Sequence, residues 1–154
     1  MGDLIITTCN RLNDVEIDSL AAFFSTLRES DATQYFHPHP LTPQEATKRA
    51  TYKGKDLYYV ILSGIEVVGY GMLRGWDEGY RIPTIGIAIR ADYRGYEMGG
   101  LLMGFLHHAA RQKGASQVRV KVYPENVASK RMIEKMGYQF SSQSQRQLVG
   151  YITL

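Results

Sequence analysis

The 154-residue chain has one cysteine, Cys9, so neither an intrachain disulfide nor a cysteine-based zinc cluster can form. A lone thiol fits a reducing compartment, and Cys9 reads as a small core residue of a first strand. No stretch approaches the roughly 18 consecutive apolar residues that a membrane-spanning helix requires. Residues 1–10 are a short apolar run without a basic leader, which reads as a strand and not as a secretion signal. The expectation is a cytoplasmic protein with no membrane partner. Basic residues are in slight excess, for a formal charge of +3, but form no stripe. That balance excludes a nucleic-acid partner and suits a small anionic ligand. There is no internal repeat, low-complexity tract or linker, and the length fits a single domain over 1–154.

Periodicity supplies the elements. Leu4–Ile6 is β-prone, and Asn13 and Glu16 have capping-box spacing ahead of a helix over 14–29. Pro38 and Pro40 break the segment 30–41, and Thr42, Pro43 and Glu45 start a second helix. Strands over 57–62 and 66–74 read as a hairpin turned at Ser63-Gly64, with a polar, aromatic turn over 75–81 and a further strand over 84–89. A helix then carries Met98, Leu101, Leu102, Phe105, Leu106 and Ala109 and closes at Gly114. Val118, Val120 and Val122 alternate with Arg119 and Lys121 as a strand. A helix from Asn126 closes at Gly137, and two strands near 138–141 and 147–154 finish the chain. The order β-α-α-β-β-β-α-β-α-β-β describes an α/β fold with mixed strand directions.

The chemistry concentrates between the strand over 84–89 and the following helix. Arg94-Gly95-Tyr96-Glu97-Met98-Gly99-Gly100 places small residues where a helix start offers unpaired N–H groups and partial positive charge, a setting that holds phosphate. The same glycines would also serve a plain tight turn. The segment resembles the Arg/Gln-x-x-Gly-x-Gly/Ala pyrophosphate loop of the GNAT superfamily of N-acetyltransferases. Arg94 takes the first position and Gly99 the last, while Glu97 replaces the middle glycine. A second stretch, Val122-Tyr123-Pro124-Glu125-Asn126 with Ser129 and Glu134-Lys135-Met136-Gly137-Tyr138, resembles the family's strand-to-helix motif. The two together span about 84–140.

The resemblance implies a GNAT-like, mostly antiparallel α+β sheet with helices on both faces, and acetyl-CoA as cosubstrate. It implies a CoA site at Ile87, Ile89, Arg94, Gly95, Tyr96, Glu97, Met98, Gly99, Gly100, Asn126 and Ser129, with the Ile87 amide polarising the thioester carbonyl. A carboxylate at Glu97 would weaken that site without abolishing it. Asn126 serves equally as a helix N-cap. Many family members protonate the leaving thiolate with a tyrosine where this chain has Ile133, and Tyr123 is the candidate to replace it. Glu78 and Asp77 are candidate general bases, and a solvated turn is the alternative for both. His37, His39, Trp76 and Tyr80 are candidate walls of the acceptor site, against a loop surface or simple packing. His37 and His39 lack a third ligand for a metal. His107 and His108 read as structural.

The expected activity is direct acetyl transfer to a primary amine of a small molecule. The segment 69–80 resembles family members associated with sugar modification, so an amino sugar is one such acceptor. A protein N-terminus or lysine is the alternative acceptor, and a CoA-binding sensor with weak catalysis the alternative function. The late strands could support a homodimer.

Overall fold

A computed structural model describes residues 3–30, 34–95 and 97–154. Among the described residues, seven strands form one sheet in the order β1-β2-β3-β4-β5-β7-β6. They are β1 (Leu4–Thr8), β2 (Leu57–Ser63), β3 (Glu66–Arg74), β4 (Thr84–Ile89), β5 (Gln117–Val122), β6 (Gln139–Ser144) and β7 (Gln147–Thr153). The helices are α1 (Asp14–Glu29), α2 (Pro43–Ala50), α3 (Met98–Gln112) and α4 (Val127–Lys135). Every strand pair is antiparallel except β4 with β5.

Local chemistry sets the boundaries. Asn13 and Glu16 close a reciprocal capping box on α1, with hydrogen bonds of 2.8 and 3.0 Å. Thr42 caps α2 ahead of Pro43. Gly114 and Gly137, at φ of 92° and 104°, follow the ends of α3 and α4. The first hairpin turns at Gly64-Ile65, one residue later than the sequence suggests, because Ser63 still pairs with Glu66 in the ladder. Cys9 lies just past β1, in a 3-10 turn, where burial pushes its thiol pKa up to about 12.

Two cores sandwich the sheet. Leu20, Phe23, Phe24 and Leu27 of α1 pack with Val60, Tyr70 and Met72 on one face. Leu102, Met103, Leu106 and Ala110 of α3 pack with Ile61, Leu73 and Val118 on the other. Leu101, expected on the buried stripe, is 53% exposed, since the buried positions run 98, 102, 103, 106 and 110. Gly71 permits the close approach of α3, because a Cβ there would lie 2.9 Å from Leu106 Cδ1. Truncating Leu102 to alanine would cost about 2–5 kcal/mol by the ordinary scale for buried leucine.

The feature that shapes the site is where β4 and β5 stop pairing. Only Thr84–Arg119 and Ile85–Val120 are registered partners, so the two strands part beyond Ile85. The hydrogen bonds from Arg90 N to Val68 O (2.8 Å) and from Arg119 N to Pro83 O (2.9 Å) fix the phase of β4. Even-numbered residues face β3, and odd-numbered residues face the parted side. The backbone N–H and C=O groups of Ile87 and Ile89 therefore point into the gap.

Candidate active site

Three neighbouring cavities occupy this gap and its two mouths. The first, about 860 Å³, runs from Ile87–Ile89 over the start of α3 to Asn126, Ser129 and Met132. Arg94, Gly95, Glu97, Met98, Gly99 and Gly100 line it, so most of the expected cofactor residues meet on one surface. Tyr96 lies outside the described residues. The first-turn amides of α3 lack intrahelical acceptors and face this space. Gly99 matters sterically: a Cβ there would sit 3.3 Å from Met132 Sδ and 3.6 Å from Ile87 Cδ1, at the wall of the cavity. Glu97 occupies the left-handed region at φ 59°, ψ 21°, the conformation that the motif's glycine would adopt without strain. Its side chain is exposed and makes no capping hydrogen bond. Arg94 is tethered through Nε to the Ile89 carbonyl at 3.3 Å.

Asn126 stands at the N-cap position of α4, yet its side chain makes no capping hydrogen bond. It lines both the large cavity and a small one of about 120 Å³ that continues toward Tyr123 and Ile133. Ile133 is buried there and offers no proton. Tyr123 does carry a hydroxyl, 2.9 Å from His37 Nε2, and its ring lies 5.9 Å from that of Tyr35.

The third cavity, about 760 Å³, is lined by His37, Glu78 and Tyr80 together with Arg74, Arg81, Arg119 and Lys121. Tyr35 and Phe36 line all three spaces, so these two residues form their common wall. Sequence pattern does not single out Phe36 or the four cations. Arg119 and Lys121 were legible as the polar side of an alternating strand, whose ordinary reading is a solvated face.

Three expected site residues are engaged elsewhere. Asp77 accepts hydrogen bonds from the Tyr52 hydroxyl and from Lys55 N (2.7 Å), which hold its carboxyl below the usual carboxylate range. It lines none of the three cavities and ties the 52–55 loop to the turn. Trp76 packs against the α3-side core, with Lys113 Nζ 4.8 Å from its ring centroid. His39 is sequestered beside Phe24 and Tyr70. Its Nδ1–H donates to Pro40 O (2.8 Å), which leaves Nε2 to accept from the Tyr70 hydroxyl (2.8 Å). Burial lowers its pKa. The turn that presents Glu78 is built by Asp56, whose buried Oδ1 accepts from the amides of Gly75, Trp76 and Asp77 at 2.8–3.2 Å.

A family model for the acetyltransferase (GNAT) domain matches residues 11–139. The chain belongs to the GNAT family. It is an N-acetyltransferase by that membership. The fold is similar to that of a GCN5-related N-acetyltransferase from Kribbella flavida, at TM-score 0.78 and 15% identity over 98% of both chains. It is also similar to the GNAT-family acetyltransferase from Streptococcus pneumoniae, at TM-score 0.74 and 14% identity over 99% of both. A third similar structure is the ribosomal-protein-alanine N-acetyltransferase from Brucella melitensis, at TM-score 0.77 and 14% identity, covering 97% of this chain and 99% of that one. No curated protein matches the sequence. No helix among the described residues of this GNAT protein is long and apolar enough to cross a membrane. No cluster of three His, Cys, Asp or Glu residues among them is placed to hold a metal ion.

Proposed function

We propose that this GNAT protein transfers an acetyl group from acetyl-CoA to the primary amine of a small molecule by direct attack, without a covalent enzyme intermediate. The observation that carries this reading is the shared Tyr35–Phe36 wall, which sets the cavity over the α3 N-terminus beside a second cavity that charged side chains line. One can hold the donor and the other the acceptor.

The residues fit the donor. The amides at the start of α3 suit a pyrophosphate, and the parted edge of β4 at Ile87 and Ile89 offers backbone partners to an amide-bearing arm. Asn126 adds an uncommitted side-chain amide. When bound, acetyl-CoA supplies an activated acyl thioester. The chain's own part is to orient, to accept a proton and to donate one. Glu78, on the acceptor cavity, takes the proton of the attacking ammonium. The Ile87 N–H stabilises negative charge that develops on the carbonyl oxygen. The Tyr123 hydroxyl, in place of the family's usual tyrosine at Ile133, supplies the proton for the departing thiolate. Holding the two reactants in adjacent cavities provides the remaining advantage.

A protein amine is the second reading, favoured by the fold-level likeness to ribosomal-protein-alanine acetyltransferases. Titration calorimetry with acetyl-CoA, using ATP as a phosphate control, tests the donor site. Thiol release over a panel of small amines and N-terminal peptides then tests the transfer. Selective micromolar binding followed by thiol release with small amines is the expected outcome. Absence of acetyl-CoA binding would overturn it, and release only with peptides would favour the second reading.

A further inference from the structure

On the reading that the 760 Å³ cavity receives the acceptor, its charges define what that acceptor is. Arg74, Arg81, Arg119 and Lys121 converge on it, with Glu78 as the one carboxylate among the described lining residues. None of the four cations forms an ion pair with a described residue. Two are held in place by neutral oxygens instead. Arg74 Nη1 donates to Pro38 O at 2.6 Å, and Arg119 Nε donates to Thr84 Oγ1 at 2.9 Å. Such contacts aim a guanidinium without neutralising it. Arg119 and Lys121 are presented together because Val118, Val120 and Val122 are turned into the α3-side core. Both are partly buried.

Like charges gathered on one concave, partly desolvated surface repel one another and focus positive potential into it. A neutral or polycationic amine gains nothing from that arrangement. We propose that the acceptor is a small amine that also carries an anionic group, a carboxylate or a phosphate. Its ammonium end is received at Glu78, and its anion is received by the Arg119–Lys121 side of the cavity, with Arg74 and Arg81 adding to the field. His37, on the same lining, stays with the Tyr123 hydroxyl.

Matched amines test this: phosphoethanolamine against ethanolamine, and β-alanine against β-alaninamide. Each is compared by thiol release and by calorimetry without acetyl-CoA. The anionic member of at least one pair should show a kcat/KM about tenfold higher or more, and the better pair tells phosphate from carboxylate. Lys121→Gln, alone and with Arg119→Gln, should collapse that preference while leaving the Kd for acetyl-CoA within about twofold. In the unaltered protein, raising salt from about 50 to 500 mM should raise KM for the anionic amine and not for its neutral partner. Equal or better use of the neutral amines overturns the proposal, as does a better acidic peptide. So does a loss of acetyl-CoA affinity on Lys121→Gln, which would assign the cations to the donor. If no amine releases thiol yet phosphoethanolamine binds in a Lys121-dependent way, the transfer reading falls and the anion site stands.

Discussion

Glu97 shows how one side chain can be judged by weighing two effects. A non-glycine residue held at φ 59° costs on the order of 1 kcal/mol. A carboxylate beside the first turn of α3 returns roughly 0.3–1 kcal/mol through the helix dipole while no anion is bound. Glu97→Gly should therefore leave stability almost unchanged, yet it removes the like charge beside a bound pyrophosphate. Acetyl-CoA affinity should rise about fivefold to tenfold by calorimetry. Glu97→Gln separates the two effects, because it keeps the strain and loses the charge. If both variants bind acetyl-CoA no better than the parent, the carboxylate points clear of the phosphates. Tyr123→Phe keeps the ring against Tyr35 and deletes only the hydroxyl that meets His37. It should lower kcat about 100-fold with little change in KM for acetyl-CoA. Unchanged kcat would leave solvent as the proton source.

Elements were legible in the sequence wherever a residue type declares its own geometry. The Asn13–Glu16 box, the Thr42-Pro43 start and the glycines after α3 and α4 are local signals, and each lies where it declares. The β6–β7 connection carries no such signal. Gln145 and Arg146 both sit at positive φ, 49° and 70°, in a two-residue turn that favours Asn-Gly. Replacing the pair by Asn-Gly should stabilise the protein by about 1 kcal/mol, or about 2–4 °C in Tm, read by a thermal melt. A lower Tm would mean that these side chains make contacts that matter more than the backbone strain. Composition marks the turn before β4 as a unit, but pattern cannot say which of its side chains looks inward. Glu78 faces the cavity, whereas Asp77 and Trp76 are spent on the neighbouring loop and the core. Asp56, which organises the whole turn, lies 19 residues from its first partner and leaves no local trace. Asp56→Ala strands three amides and should cost about 3 kcal/mol by urea unfolding, with turnover falling further than acetyl-CoA affinity. A loss confined to stability would uncouple this turn from catalysis.

At the scale of the whole molecule, the polar groups buried on both faces of the sheet make stability depend on pH. His39 lies against Phe24 and Tyr70 on the α1–α2 side, facing Glu45, Arg49 and Arg74. His107 lies on the α3 side, 2.6 Å from the Tyr138 hydroxyl and near Arg111. Burial lowers both pKa values below the ordinary 6.5; Pro40 and Glu45 oppose the shift at His39 without cancelling it, whereas Arg111 adds to it at His107. The sign follows from proton counting. Just below pH 6.5 the unfolded chain binds protons that the folded one refuses, so stability falls as the medium is acidified through that window. Each histidine contributes a slope of at most about 1.4 kcal/mol per pH unit. The lowered carboxyl of Asp77 acts later, losing its contribution only as pH falls through and below the usual 3.8. Urea melts at pH 7.5 and 5.5 should show a lower midpoint at 5.5. Substituting both buried histidines by glutamine should lower stability at pH 7.5 and flatten the difference between the two melts. Coincident midpoints in the parent protein would mean that both imidazoles take up protons without unfolding, so that the two half-buried hydrogen bonds to Tyr70 and Tyr138 tolerate a cation.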